Sequence, residues 1–116
     1  MKIGLILFYF SLLCLTGCEN ERLIGAYTYG HEVETVTLCK GGKTYWIKAT
    51  PYVRKKLHQA HKELTTMPYQ SIYIEFSGEI LEKKPTGFAS VYSGYIQIDA
   101  VLDIRQRKPD RCKLPE

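Results

Sequence analysis

The chain has no apolar run long enough to form a membrane helix. Crossing a bilayer takes roughly 20 apolar residues, and the longest such stretch, residues 3–15, is shorter. There is no Cys-x-x-Cys pair, so the usual thiol-exchange signature is missing. Ser71, Ser77, Ser90 and Ser93 lie in no Gly-x-Ser-x-Gly setting and have no implied base, which leaves serine hydrolysis without a foundation. Glu79 and Glu82 sit beside lysines at a strand end, as in a solvated turn rather than an acid–base pair. The chain is read as a non-enzyme that needs no cofactor. It also lacks internal repeats, low-complexity tracts and any long linker. A formal charge of +4 is mild for 116 residues.

Much of what is present lies at the start. Lys2 precedes the apolar run 3–15, and a short apolar run behind a positive start is the build of a secretory signal. The small residues Thr16 and Gly17 follow, and after Cys18 the chain turns polar through Glu19-Asn20-Glu21-Arg22. Leu15-Thr16-Gly17-Cys18 resembles the bacterial lipobox. That resemblance implies cleavage before Cys18, diacylation of its thiol and acylation of the new amino terminus. Several acyl chains hold a protein to a bilayer where one alone is marginal. Glu19 is acidic without being the aspartate that retains lipoproteins at the inner membrane. The expected address is the outer membrane, periplasmic face, with the inner membrane as the alternative. Residues 1–17 are assigned to the signal, 18–22 to the lipidated tether and 23–116 to one domain.

Processing removes Cys14 and uses Cys18, so Cys39 and Cys112 remain from four cysteines. An isolated pair in a small secreted domain reads as a structural disulfide, with redox sensing as the alternative. Loss of Lys2 lowers the formal charge from +4 to +3. The basic clusters 54–56 and 105–108, with Arg111 and Lys113, read as solvated faces, or as attraction to anionic lipid or an acidic partner. A periplasmic address removes nucleic acid as a partner.

The pattern beyond the tether is mainly β. Residues 23–29 alternate as a strand, with Gly25 marking a kink or bulge. Residues 33–39 are rich in β-branched side chains, and Lys40-Gly41-Gly42-Lys43 signals a hairpin into a strand over 44–49. The period then changes. Thr50 suits a helix N-cap and Pro51 its first position, with Val53, Leu57, Ala60 and Leu64 at helical spacing and His61 at the edge of that stripe. A strand over 71–81 puts Ile72, Ile74, Phe76 and Ile80 on one face, interrupted by Gly78. Residues 88–93 are ambiguous. In a last strand over 94–104, Tyr95, Gln97, Asp99 and Val101 oppose Ile96, Ile98, Ala100 and Leu102. Three strands, a helix and the closing strands fit a small five-stranded OB-like barrel with the helix between strands three and four.

The segments 23–29, 37–39 and 42–47 resemble the carboxy-terminal OB domain of the NlpE lipoprotein family, in which a Gly-x-Tyr-x-Tyr strand leads to a cysteine, a turn and an aromatic strand. The helix with Tyr52 and Leu57, the strand 72–78 and Cys112 fall in the same order, so the resemblance covers residues 23–112. It implies an OB barrel, an outer-membrane lipoprotein and a Cys39–Cys112 disulfide. It also implies ties to envelope stress, surface sensing and copper tolerance. The family's preceding amino-terminal barrel, which carries a Cys-x-x-Cys motif and contacts the stress sensor kinase, has no counterpart between Cys18 and the OB segment. The kinase contact is therefore not carried over.

Two groups of side chains suggest binding. His58 and His61, three apart on the helix, are weak metal-ligand candidates that lack a third ligand. Tyr27, Tyr29, Tyr45 and Trp46 form the expected ligand or partner surface, since OB barrels bind extended ligands by stacking; the alternative is that half of them fill the barrel and the rest line strand edges. Tyr45 and Trp46 are neighbours and point to opposite faces, so at least one is exposed. The expected role is contact with an envelope protein, in sensing, adaptation or exclusion. The alternative is a barrel that binds a glycan or peptide, or that inhibits a hydrolase such as lysozyme.

Overall fold

The computed structural model describes residues 21–81 and 83–115, and of Phe88 only the backbone. The proposed signal, Cys14 and Cys18 lie outside the described residues. The strands are β1 Glu21–Gly30, β2 Val33–Leu38, β3 Thr44–Ala49, β4 Ser71–Leu81 and β5 Tyr95–Arg105. Helix α1, Pro51–Leu64, separates β3 from β4, and a short 3-10 turn, Gly87–Val91, precedes β5. The strands close in the order β1-β2-β3-β5-β4, with β4 returning to β1. Only β3 and β5 pair in parallel. This is the expected mainly β, five-stranded OB-like barrel with one helix after the third strand.

Local chemistry accounts for the elements. The β2–β3 turn needs two successive residues in the left-handed region, and Gly41 and Gly42 sit there at φ 91° and 72°. Thr50 caps α1 by accepting from the Val53 N–H at 3.3 Å, and Pro51 opens it. The helix ends at Thr65, whose N–H donates to the His61 carbonyl. Its buried stripe is Val53, Leu57 and His61, with Ala60 and Leu64 partly covered. Helix α1 packs against β3, β4 and β5. The barrel interior is filled by Tyr27, Val36, Tyr45, Ile47, Ile72, Ile74, Phe76, Ile96 and Ile98, all buried.

The strand over 71–81 and the last strand depart from simple alternation. Ser77 pairs with Ala100 and Gly78 with Ile98, so Asp99 is passed over. Glu75 pairs with Asp103 and Phe76 with Val101, so Leu102 is passed over. Each extra residue shifts the phase of β5 by one. Ile96 and Ile98 are buried as expected, but Val101 and Ile104 then pack on the core while Leu102 is 46% exposed. Ala100 is exposed as well. Ile80, expected on the apolar face, is also 46% exposed because the stripe of β4 ends at Gly78. Strand β1 starts at Glu21 rather than Leu23, because β4 offers partners that far: Glu21 pairs with Gly78 and Arg22 with Ser77.

The irregularity has a steric centre. A Cβ added to Gly78 would lie 1.9 Å from the carbonyl oxygen of Gln97, which is backbone and has nowhere to go. At the same end of β1, Cys39 and Cys112 form a disulfide across 73 residues. It fastens the end of β2 to the tail, and Cys112 is buried.

Two outcomes follow from this packing. Gly78→Ala is expected to destabilise the domain by about 3 kcal/mol through backbone overlap, measured by denaturant unfolding; an unchanged midpoint would contradict the close approach. Reduction is expected to cost at most about 4 kcal/mol on the chain-entropy account. Non-reduced, denatured protein should show no alkylation at Cys39 or Cys112, and two modified cysteines would refute the bridge.

Candidate functional site

Glu34 lies in β2 two residues from Val36 and four from Leu38, so period two turns all three to the same face. That face is the interior, and Glu34 is 6% exposed. A carboxylate taken out of water must be paired and hydrogen-bonded. Here it has three donors. The Tyr27 hydroxyl donates to Oε2 at 2.7 Å. His58 Nε2–H donates to the same oxygen at 2.6 Å. The Arg54 guanidinium forms an ion pair with Oε1. Arg54 and His58 are four apart, so they share one face of α1. Each side chain is about one-third exposed, so the cluster meets solvent on its helix side. Burial, and next the Glu34 carboxylate, push the Tyr27 hydroxyl well above its ordinary range, which keeps it protonated as a donor.

Aromatic rings extend the cluster. Tyr29 stacks on His58 with centroids 4.0 Å apart. His61 is buried and stands edge-on to Tyr27 and Tyr29, at 6.1 and 5.7 Å. Its Nε2–H donates to the Gln70 carbonyl at 2.5 Å. Beside these rings is an open groove of about 670 Å³, lined by Tyr29, His31, His58, Lys62, Thr66 and Met67 among others. Tyr69 braces the groove's neighbourhood. Its ring lies where a Gly30 Cβ would stand, at 2.4 Å, and its hydroxyl donates to the His31 carbonyl at 2.9 Å. Tyr69 itself is held in the left-handed region at φ 67°, a strained backbone for a bulky side chain.

The cluster is a clamp between α1 and the β1–β2 hairpin. A histidine held by a carboxylate invites comparison with nucleophilic sites, yet His58 spends Nε2 on Glu34. The one hydroxyl near His61 Nδ1 is Thr65 Oγ1 at 3.4 Å, and it donates instead to the His61 carbonyl at 2.6 Å. The metal candidates His58 and His61 both have Nε2 engaged in these bonds, which leaves only Nδ1 of each ring for an ion. Among the described residues, no three His, Cys, Asp or Glu side chains are placed to hold a metal.

The expected aromatic surface does not assemble. Tyr27 is fully buried and Tyr45 is 7% exposed, so both are core. Tyr29, in phase with Tyr27 on β1, is half-buried against His58. Trp46 faces outward, as the alternation from Tyr45 requires. It meets Tyr92 at 5.7 Å, a residue outside the expected set. In register beside Trp46 on β5 is Tyr95, whose ring carries Lys48 Nζ at 4.5 Å. Glu34 and Arg54 were absent from the expected site residues. The available signal was a carboxylate in phase with Val36 and Leu38, opposite a helix carrying a basic residue and a histidine four apart.

The burial of Tyr27, with Glu34 beside it, gives a pH dependence with a definite sign. Folding raises the Tyr27 hydroxyl above its unfolded value of about 10. Its contribution is therefore complete below about pH 10 and is lost as pH rises further. The stability difference between wild type and Tyr27→Phe should be constant to about pH 10 and then shrink by about 1.4 kcal/mol per pH unit. A difference that stays flat to pH 11.5 or so would contradict a Tyr27 hydroxyl buried against Glu34.

Compared with known protein families, the sequence matches the NlpE C-terminal OB domain over residues 18–112. No curated protein and no solved structure matches it significantly. The matched span contains all five strands, the helix after β3 and the bridge from Cys39 to Cys112. By that match and this architecture, the chain belongs to the NlpE C-terminal OB domain family.

Proposed function

We propose that this chain is a bacterial envelope lipoprotein, held to the membrane through Cys18, that acts by contact with another envelope protein rather than by catalysis. Family membership carries this reading, since the resemblance implies an envelope lipoprotein. The lipobox-like Leu15-Thr16-Gly17-Cys18 supplies the anchor. No helix among the described residues is long and apolar enough to cross a membrane. The outer membrane, periplasmic face, is the proposed address. The role is sensing, adaptation or exclusion. A small closed barrel with a disulfide across most of its length is a stiff body, suited to presenting a fixed surface.

One observation favours a second reading. Trp46, Tyr92, Tyr95 and Lys48 gather on the outer face of β3 and β5, and Val91 beside them is 82% exposed. Such a face suits stacking on a glycan or peptide, or docking into a hydrolase cleft.

In-cell crosslinking of tagged wild type and Cys18→Ala, followed by fractionation and mass spectrometry, tests the reading. The wild type is expected in the membrane pellet with one dominant envelope protein attached, and Cys18→Ala in the soluble fraction. A Cys18→Ala protein that still pellets would remove the anchor. No protein above background would remove the contact role and favour the ligand-binding barrel. Trp46, the single tryptophan, then reports saturable glycan or peptide binding by fluorescence quenching.

A further inference from the structure

Strand β1 places two different surfaces at its two ends. At the Gly30 end lie α1, the groove and the Glu34 clamp. At the Glu21 end, the barrel brings together three segments far apart in sequence: the start of β1, the β2–β3 turn and the carboxy-terminal tail. Cys39 N–H donates to the Ile24 carbonyl at 2.9 Å, and the disulfide then fixes the tail beside it. Arg22, Lys40, Arg111 and Lys113 line one cavity of about 470 Å³ there. Gly42 of the turn lies against Leu114 of the tail, which brings Lys43 to the same end.

The charges on this end are not cancelled. Arg22 and Arg111 share one carboxylate, Glu75, at 3.5 and 2.7 Å. Lys40, Lys43 and Lys113 are exposed and form no ion pair among the described residues. Of the residues lining that cavity, Arg22, Lys40, Arg111 and Lys113 are basic and Glu21 alone is acidic. Lysine is a flexible, hydrated point charge, suited to a diffuse anionic surface rather than to a shaped pocket.

The covalent chain says what that surface is. Glu21 begins β1, and the anchor position Cys18 is three residues before it. Three extended residues reach at most about 11 Å, close to the distance over which charges act at physiological salt. A barrel tethered so tightly at this end keeps these lysines at the headgroup layer. We propose that the Glu21 end of the barrel, through Lys40, Lys43 and Lys113, docks on anionic phospholipid headgroups of the membrane that holds the anchor. The proposal rests on Cys18 lipidation. It adds an orientation: the disulfide end faces the bilayer, and α1 with its groove faces away, toward any partner. In this arrangement the bridge sets a membrane-facing surface as well as bracing the fold, because without it the tail lysine has no fixed place.

The test uses the full-length lipidated protein on vesicles of phosphatidylcholine, with or without phosphatidylglycerol. Flotation is scored first. An amine-reactive label then reads each lysine by peptide mass spectrometry. The expected result is flotation on both compositions, with Lys40, Lys43 and Lys113 labelled about fivefold more slowly only when phosphatidylglycerol is present. Lys62, which lines the groove beside Gly30, should label equally on both. Protection should vanish at about 1 M salt, where the Debye length falls to about 3 Å. Flotation with equal labelling on both compositions would overturn the docking face while leaving the anchor intact. Protection indifferent to phosphatidylglycerol and salt would overturn it too, since the tether alone would explain it. Failure to float on either composition would refute the anchor, and the docking face would fall with it.

Discussion

The structure depends on β1 being paired along both of its edges. Residues 25–30 bond to β2, and residues 21–28 bond to β4. That double pairing turns an open meander into a ring and leaves no free sheet edge among the described strands. Closure has a cost elsewhere. For β4 to reach both β1 and β5, β5 must carry two extra residues and Gly78 must lie almost against the Gln97 carbonyl. The exposure of Leu102 and the packing of the partly buried Val101 and Ile104 on the core follow from those bulges.

Closure also divides the molecule into two ends with different fastenings. One end is held by a buried carboxylate shared among tyrosine, arginine and histidine, which ties α1 to the β1–β2 hairpin. Tyr29, His58 and His61 pack around it as rings, and the strained Tyr69 and the small Gly30 fit together beside them. The other end is held by a covalent bridge between the end of β2 and the tail. A polar clamp at one end and a disulfide at the other suit a domain of this size, whose apolar core alone is modest.

Chemistry and contact divide in the same way. The polar side chains that come closest to a catalytic set spend their donors on holding the helix. The outer surface carries an aromatic face around Trp46, an open groove beside α1 and a basic end next to the proposed anchor.

The fold was largely legible in the sequence because its signals are local. Two glycines in the β2–β3 turn, a threonine–proline helix start and β-branched alternation each act over a few residues. The order of these elements, with the helix after the third strand, pointed to the barrel, and only two cysteines remained to pair. The Glu34 clamp was partly visible as a carboxylate in apolar phase, but its partners sit 7, 20 and 24 residues away and meet only through the barrel. The aromatic set was only partly legible for the same reason. Composition counts tyrosines, whereas strand phase and sheet closure decide that Tyr27 and Tyr45 fill the core, Trp46 faces out and Tyr92 joins it. The amino-acid order by itself determined the elements, their sequence and the pool of residues available for anchor and bridge. The tertiary structure alone decided the β5 register, the clamp and the gathering of lysines at one end, because each arises from contacts between distant segments that only ring closure brings together.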